Sequence, residues 1–148
     1  MKIYIGNYPN YRWYHHYLYE WFGYAPDRKK YIHIDEWDTW SMDYTLAEIA
    51  HPMLVQLRKT LHGAPFVDPV DVPEHLQPTH KPEDDVDNTH FERWNWVLDE
   101  MIYAFDCKVN KDDVMMRFRD DLDAARKEQD RISNGFRLFG KYYENLWD

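Results

Sequence analysis

Cysteine is nearly missing from this sequence. Cys107 stands alone among 148 residues, so there is no intramolecular disulfide and no paired-cysteine spacing of a structural zinc site. A reducing cytosol is the expected setting. Long apolar runs are also lacking: none approaches the roughly 18 residues of a membrane span. Nothing at the start reads as a signal peptide. Glycine is scarce, five residues in all, and no Walker loop, nucleophile elbow or Cys–His pair can be identified. Positive charge is the last shortage. A formal net charge of −9 argues against a protein that holds extended nucleic acid through many phosphate contacts.

What is abundant is aromatic. Phe, Trp and Tyr make up 18% of the chain, with 7 Trp and 12 Tyr, more than an ordinary core needs. Both types favour surfaces where a flat ring meets something partly polar, which points to a ligand or partner. The charge is uneven as well. Residues 1–34 hold Lys2, Arg12, Arg28, Lys29 and Lys30 against only Glu20 and Asp27, so a small anion would be drawn to the N-terminal third.

The length is that of one compact domain, and the pattern predicts an α+β, mostly helical fold. Residues 1–36 read as a β-α-β unit. "KIYIG" and "KYIHID" alternate like short strands, and Tyr11, Tyr14, His15, Leu18, Trp21 and Phe22 recur at helical spacing between them. Asn7, Pro9 and Asn10 supply turn and cap chemistry, and Gly23 and Pro26 end the helix. Parallel, adjacent strands here would make a right-handed crossover. Residues 37–61 read as a helix, with Leu46, Ile49, Ala50, Met53, Leu54, Leu57 and Leu61 on a wide buried face and Pro52 set to kink or interrupt it.

Residues 62–89 form a Pro-rich acidic loop or arm. Its first part, 62–78, is expected to be ordered and extended and 79–88 mobile. Residues 90–148 are helical. From His90 to Cys107 the apolar positions include Phe91, Trp94, Val97, Leu98, Met101, Ile102 and Phe105. From Val114 to Leu146 a stripe runs through Phe118, Leu122, Ala125, Ile132, Phe136, Phe139 and Tyr143. One helix over 111–147 would be about 55 Å long, too long for so small a globule. Either "SNG" at 133–135 bends the chain, or the stripe is buried against another subunit, which makes a homo-oligomer the expectation.

Four blocks, "WDTWSMDYTLA", "LHGAPFVDPVDVPEHL", "HFERWNWVLDEMIYAF" and "RISNGFRLFGKYYENLWD", resemble those of a family of small proteins encoded by tailed bacteriophages. The resemblance covers most of the chain from Trp37 onward. It implies a phage gene product acting in the host cytoplasm, and it carries no catalytic residue with it.

Three groups of residues are candidates for chemistry. In strand–helix–strand units ligands bind beyond the C-terminal strand ends, near the helix N-terminus. That places a nucleotide-type ligand at "GNYPN", with Tyr8 and Trp13 stacking, Arg12 and His16 nearby, and Asp35 at the matching end of the second strand. A packed aromatic helix with an ordinary turn explains the same residues. The second group is "DEWDTWSMD", where Asp35, Glu36, Asp38 and Asp43 offer carboxylates for a hydrated Mg²⁺ and Trp37 and Trp40 flank a planar group. Helix capping by Asp38 or Ser41 is the alternative. The third is the acidic face of residues 90–107, Glu92, Asp99, Glu100 and Asp106, with His51 and His90 as neighbours. The block "LDEMIYAFD" resembles the acidic helix of all-helical nucleotide pyrophosphohydrolases, but the paired glutamates of a second helix are missing: Glu48 stands alone. A solvated face is the plainer reading.

The leading functional expectation is a phage-encoded cytosolic protein that binds a small nucleotide-type ligand, sequestering a host immune signalling nucleotide, with no cofactor and no membrane. The rivals are a Mg-dependent nucleotide phosphohydrolase using the acidic helix, and an inhibitor that grips a host protein through the Pro-rich arm and exposed aromatics.

Overall fold

The computed structural model describes residues 1–78, 88–110 and 114–147. The chain is α+β and mostly helical, with a single two-stranded sheet at its N-terminus followed by helices. Its residues group into two compact units, Met1–Met42 and Asp43–Asp148.

In the first unit, β1 (Lys2–Ile5) and β2 (Lys30–His33) flank α1 (Trp13–Phe22). The strands pair antiparallel, Lys2 opposite His33 and Ile5 opposite Lys30, so no parallel crossover forms. The helix is instead an excursion between the arms of a hairpin. Two bonds close it beyond the strands: Gly6 N–H donates to the Lys29 carbonyl at 2.9 Å, and Arg28 Nε donates to the Gly6 carbonyl at 2.5 Å. α1 is not capped by Asn7 or Asn10. Arg12 precedes it in extended backbone, and the Arg12 N–H donates to His15 Nδ1 at 2.9 Å, which covers one donor at the helix start. Gly23 ends it as the sequence predicts, at φ +63° with its N–H on the Tyr19 carbonyl. A left-handed residue with no Cβ bears that conformation cheaply. No apolar side chain of this unit is buried.

The second unit is built on three long helices. α2 (Met42–Lys59) runs unbroken through Pro52, so the predicted interruption does not occur. Glu48 and Pro52 are both exposed, so the bond that Pro52 cannot make to the Glu48 carbonyl is lost on the outer face of the helix. Only Ala47 and Leu54 of α2 are buried, while Leu46 and Met53 of the predicted buried face are exposed. α3 (His90–Val109) is the core element and buries Trp94, Val97, Leu98, Met101, Ala104 and Phe105.

The C-terminal stripe is not one helix. A short α4 (Val114–Arg117) is followed by a break, and α5 (Leu122–Lys141) starts where the Asp121 carboxylate accepts from Ala124 N–H at 2.9 Å. The break falls at 118–121, not at "SNG". α5 passes straight through Gly135, where a Cβ would lie 2.5 Å from both Ala104 Cβ and the Glu100 carbonyl of α3. The glycine lets the two helices touch. α5 is therefore about 30 Å long, and Ala125, Ile132, Gly135 and Leu138 are buried along it. Its stripe is covered only in part within the chain, with Leu122 and Tyr143 left exposed, but at this length it no longer calls for a second subunit.

The Pro-rich segment is ordered over its described part, as two 3₁₀ turns, Pro69–Asp71 and Glu74–Leu76. Val67, Val72 and Leu76 join the core, while Phe66 and Val70 are exposed. Buried Asp71 accepts from Arg137 Nη2 (2.7 Å), Lys141 Nζ (2.5 Å) and the Tyr142 hydroxyl (2.7 Å). Arg93, also buried, donates to the Leu76 carbonyl and Thr89 Oγ1. Burial alone would raise the Asp71 carboxyl, but its bonds to Lys141, Tyr142 and Arg137 outweigh that and hold it below the usual range. The predicted mobile stretch, 79–88, lies outside the described residues except for Asn88.

Candidate binding surfaces

The antiparallel ribbon sorts the predicted ligand residues into two sets. Asp35 follows β2 at the end where β1 begins, whereas the Gly6–Asn10 loop follows β1 at the other end, about 13 Å of strand away. Asp35 is therefore not at the matching strand end, and the constellation of Tyr8, Arg12, Trp13, His16 and Asp35 does not gather on one side of the sheet.

The first end is basic and aromatic. The Arg28 guanidinium sits 4.3 Å from the Tyr8 ring centre, a cation–π contact, while its Nε holds the hairpin closed. Tyr8, Arg12 and Lys29 are exposed. Along α1, Trp13 and Tyr17 meet edge to face at 6.1 Å. His16 faces Glu20 at 3.2 Å, so it is committed to its own helix.

The other end is acidic and aromatic. The 3₁₀ turn Glu36–Thr39 opens with Asp35, whose N–H donates to Asp38 Oδ2 at 2.8 Å, so Asp38 does serve the helical start. The Met1 amino group lies 2.7 Å from Asp38 and 3.2 Å from Asp35. Its hydrogen bonds hold both carboxyls below their usual range, with His33 at 2.9 Å adding to the effect on Asp35. The amino group is raised in turn, chiefly by Asp38. Asp43 is taken by Lys108, which lowers it. Asp35 and Asp38 thus share the Met1 amino group, while Asp43 is held by Lys108. Trp37 and Trp40 lie 4.6 Å apart, tilted by 58°, and both are exposed. That spacing leaves no room for a base between them but offers an outer ring face.

The acidic helix face is dispersed too. Glu100 is not solvated: it is 8% exposed and takes two-pronged hydrogen bonds from Arg131, which raise the guanidinium further. Asp99 points elsewhere and binds Arg58 at 2.8 Å. Asp106 lies 3.6 Å from His51, His90 Nε2–H donates to the Ala64 carbonyl at 2.9 Å, and Glu92 is exposed. Tyr103, bound to Glu128, is pushed up to about 12. Among the described residues no three His, Cys, Asp or Glu side chains gather as a metal ligand set.

One feature escaped the sequence reading. α2, the end of α3 and the end of α5 enclose an open apolar groove of about 1040 Å³, lined by Leu46, Ile49, Met53, Phe139, Tyr143 and Trp147 among others, with Asp43 and Lys108 the only charged lining residues among those described. The α2 stripe that forms one wall was legible, but nothing in its pattern distinguished a covered face from an open one. The roles of Arg28, Arg93 and Arg131 were equally hidden, because their partners are 17 to 31 residues away.

No protein-family model, curated protein or solved structure matches this chain. Among the described residues no helix is long and apolar enough to cross a membrane.

Proposed function

We propose that the protein acts by binding, and that the basic, aromatic end of the N-terminal unit takes a small nucleotide-type ligand. The observation that carries this reading is the exposed Tyr8 ring backed by Arg28 at 4.3 Å, with Arg12, four residues on from Tyr8, and Lys29, next to Arg28, both exposed. A ring already polarised by a cation stacks on a base, and the surrounding cations meet phosphate. Asp35, Trp37 and Trp40 stand apart from this site, in an acidic setting that disfavours phosphate. With the resemblance to tailed-phage proteins, the biological use would be sequestration of a host signalling nucleotide in the host cytoplasm. A Mg-dependent hydrolase is less supported, because Asp99 and Glu100 are each held by an arginine and point apart.

A second reading has its own support. The exposed aromatics of α1 and β2 also suit a protein partner, as in the inhibitor alternative, now through this unit rather than the Pro-rich arm.

The test is calorimetry with a panel of mononucleotides, cyclic dinucleotides and ADP-ribose, followed by mass spectrometry of the recovered ligand. The expected result is binding of at least one, weakened about tenfold or more by Tyr8→Ala or Arg12→Ala, with the nucleotide returned intact. No binding by any member, or binding indifferent to both substitutions, rejects the site. Magnesium-dependent turnover rejects sequestration.

A further inference from the structure

The groove of the second unit is independent of the nucleotide reading. α2 carries a full apolar stripe yet buries only Ala47 and Leu54. Leu46, at 52% exposure, and Met53, at 67%, face solvent along the groove, and Tyr143 and Trp147 of the opposite wall are 65% and 60% exposed. An apolar cleft of about 1040 Å³ left open in this way marks an interaction site. Its apolar lining on α2 runs from Leu46 to Leu57, about 16 Å or three helical turns. That matches the reach of anchors at i, i+4, i+7 and i+11 on a guest helix.

Charge decides which guest. The described residues of 43–147 hold 11 Lys and Arg against 15 Asp and Glu. Of the charged residues lining the groove, Lys108 is already satisfied by Asp43. Arg58 and Arg137, next in sequence to the lining residues Leu57 and Phe136, are held by Asp99 and Asp71, whereas Glu48 and Glu144, next to Ile49 and Tyr143, are exposed. A second copy presenting this same face would bring the exposed Glu48 and Glu144 of both copies to one interface, which costs free energy. A helix with one apolar face and basic flanks gains both apolar burial and Coulomb attraction. We infer that the α2–α3–α5 groove is a docking site for a basic amphipathic helix of a partner protein. Methionine at 53 suits the role, since a flexible thioether repacks against varied side chains.

The probe is a fluorescein-labelled 14-residue peptide of leucine and lysine, with leucines at helical anchor spacing, titrated with the full-length chain and read by polarisation. The control peptide has the same leucine pattern with glutamate in place of lysine. Micromolar binding of the lysine peptide, weakening with salt, and at least tenfold weaker binding of the glutamate peptide are expected. Leu46→Ser with Met53→Ser changes only exposed side chains, so the fold is kept, as circular dichroism will verify. It should lower affinity about tenfold. Three results would overturn the inference: no binding of the lysine peptide, equal binding of both peptides, or binding unaffected by the double substitution. Sedimentation of the free chain as a dimer that the same two substitutions dissociate would also overturn it, by giving the groove to a second copy.

Discussion

The two units hold the same number of aromatic residues, thirteen each, although the first has 42 residues and the second 106. They use them in opposite ways. All thirteen in Met1–Met42 are exposed, from Tyr14 at 39% to Trp13 at 79%. In the second unit only Phe66, Phe91, Tyr143 and Trp147 are exposed, and Trp94, Phe105 and Tyr142 are core. Edge-to-face pairs show the contrast: Trp94–Tyr142 and Phe105–Phe139 knit α3 to α5, whereas Trp13–Tyr17 joins neighbours on one helix. Aromatic content therefore does not measure core size. In one unit the rings hold helices together, and in the other they are available to something else.

The largest way to break this contrast is at Gly135. Any side chain there meets backbone and a Cβ at 2.5 Å, so Gly135→Val must force α3 and α5 apart. Denaturant unfolding followed by helical circular dichroism should register a loss of about 3 kcal/mol. A loss under about 1 kcal/mol would mean that the helices do not approach this closely.

Asp71→Asn comes next. It removes a buried carboxylate held by three donors, but Arg137 and Lys141 are partly exposed and regain water, so the expected cost is about 1–3 kcal/mol. Its pH dependence follows from the lowered carboxyl. A folded pKa below the unfolded value of about 3.9 gives stability that is fully present above that value and lost as pH falls through the folded one. Stability curves of the parent and Asp71→Asn should stay separated from neutral pH to about pH 4 and converge below it. Parallel curves at pH 2–3 would contradict the assignment.

The smallest effect is expected in the first unit. Replacing Trp37 and Trp40 together by Ala removes two exposed rings whose only ring contact among the described residues is with each other, and should change unfolding free energy by about 0.5 kcal/mol or less. A larger loss would show that this unit too relies on its aromatics for folding, and the contrast would fail.

Much of the architecture could be read from local pattern. The helical periodicity of 13–22, 42–59 and 90–109, the left-handed stop at Gly23 and the order of 62–78 all depend on near neighbours, for which sequence spacing is a direct physical signal. The sequence also made plain the aromatic surplus, the uneven charge and the absence of disulfide chemistry. Tertiary structure alone decided three things. Strand direction was one: the alternation of "KIYIG" and "KYIHID" is the same in parallel and antiparallel pairs, and only the Gly6–Lys29 closure separates Asp35 from Tyr8. The fate of Glu100 was another, because a helix face does not reveal that Arg131, 31 residues on, will cover it. The last was which half of the α2 stripe is buried. Hydrophobic periodicity marks the face that avoids water, but the position of α3 and α5 determines how much of that face they reach, and here they leave Leu46 and Met53 open.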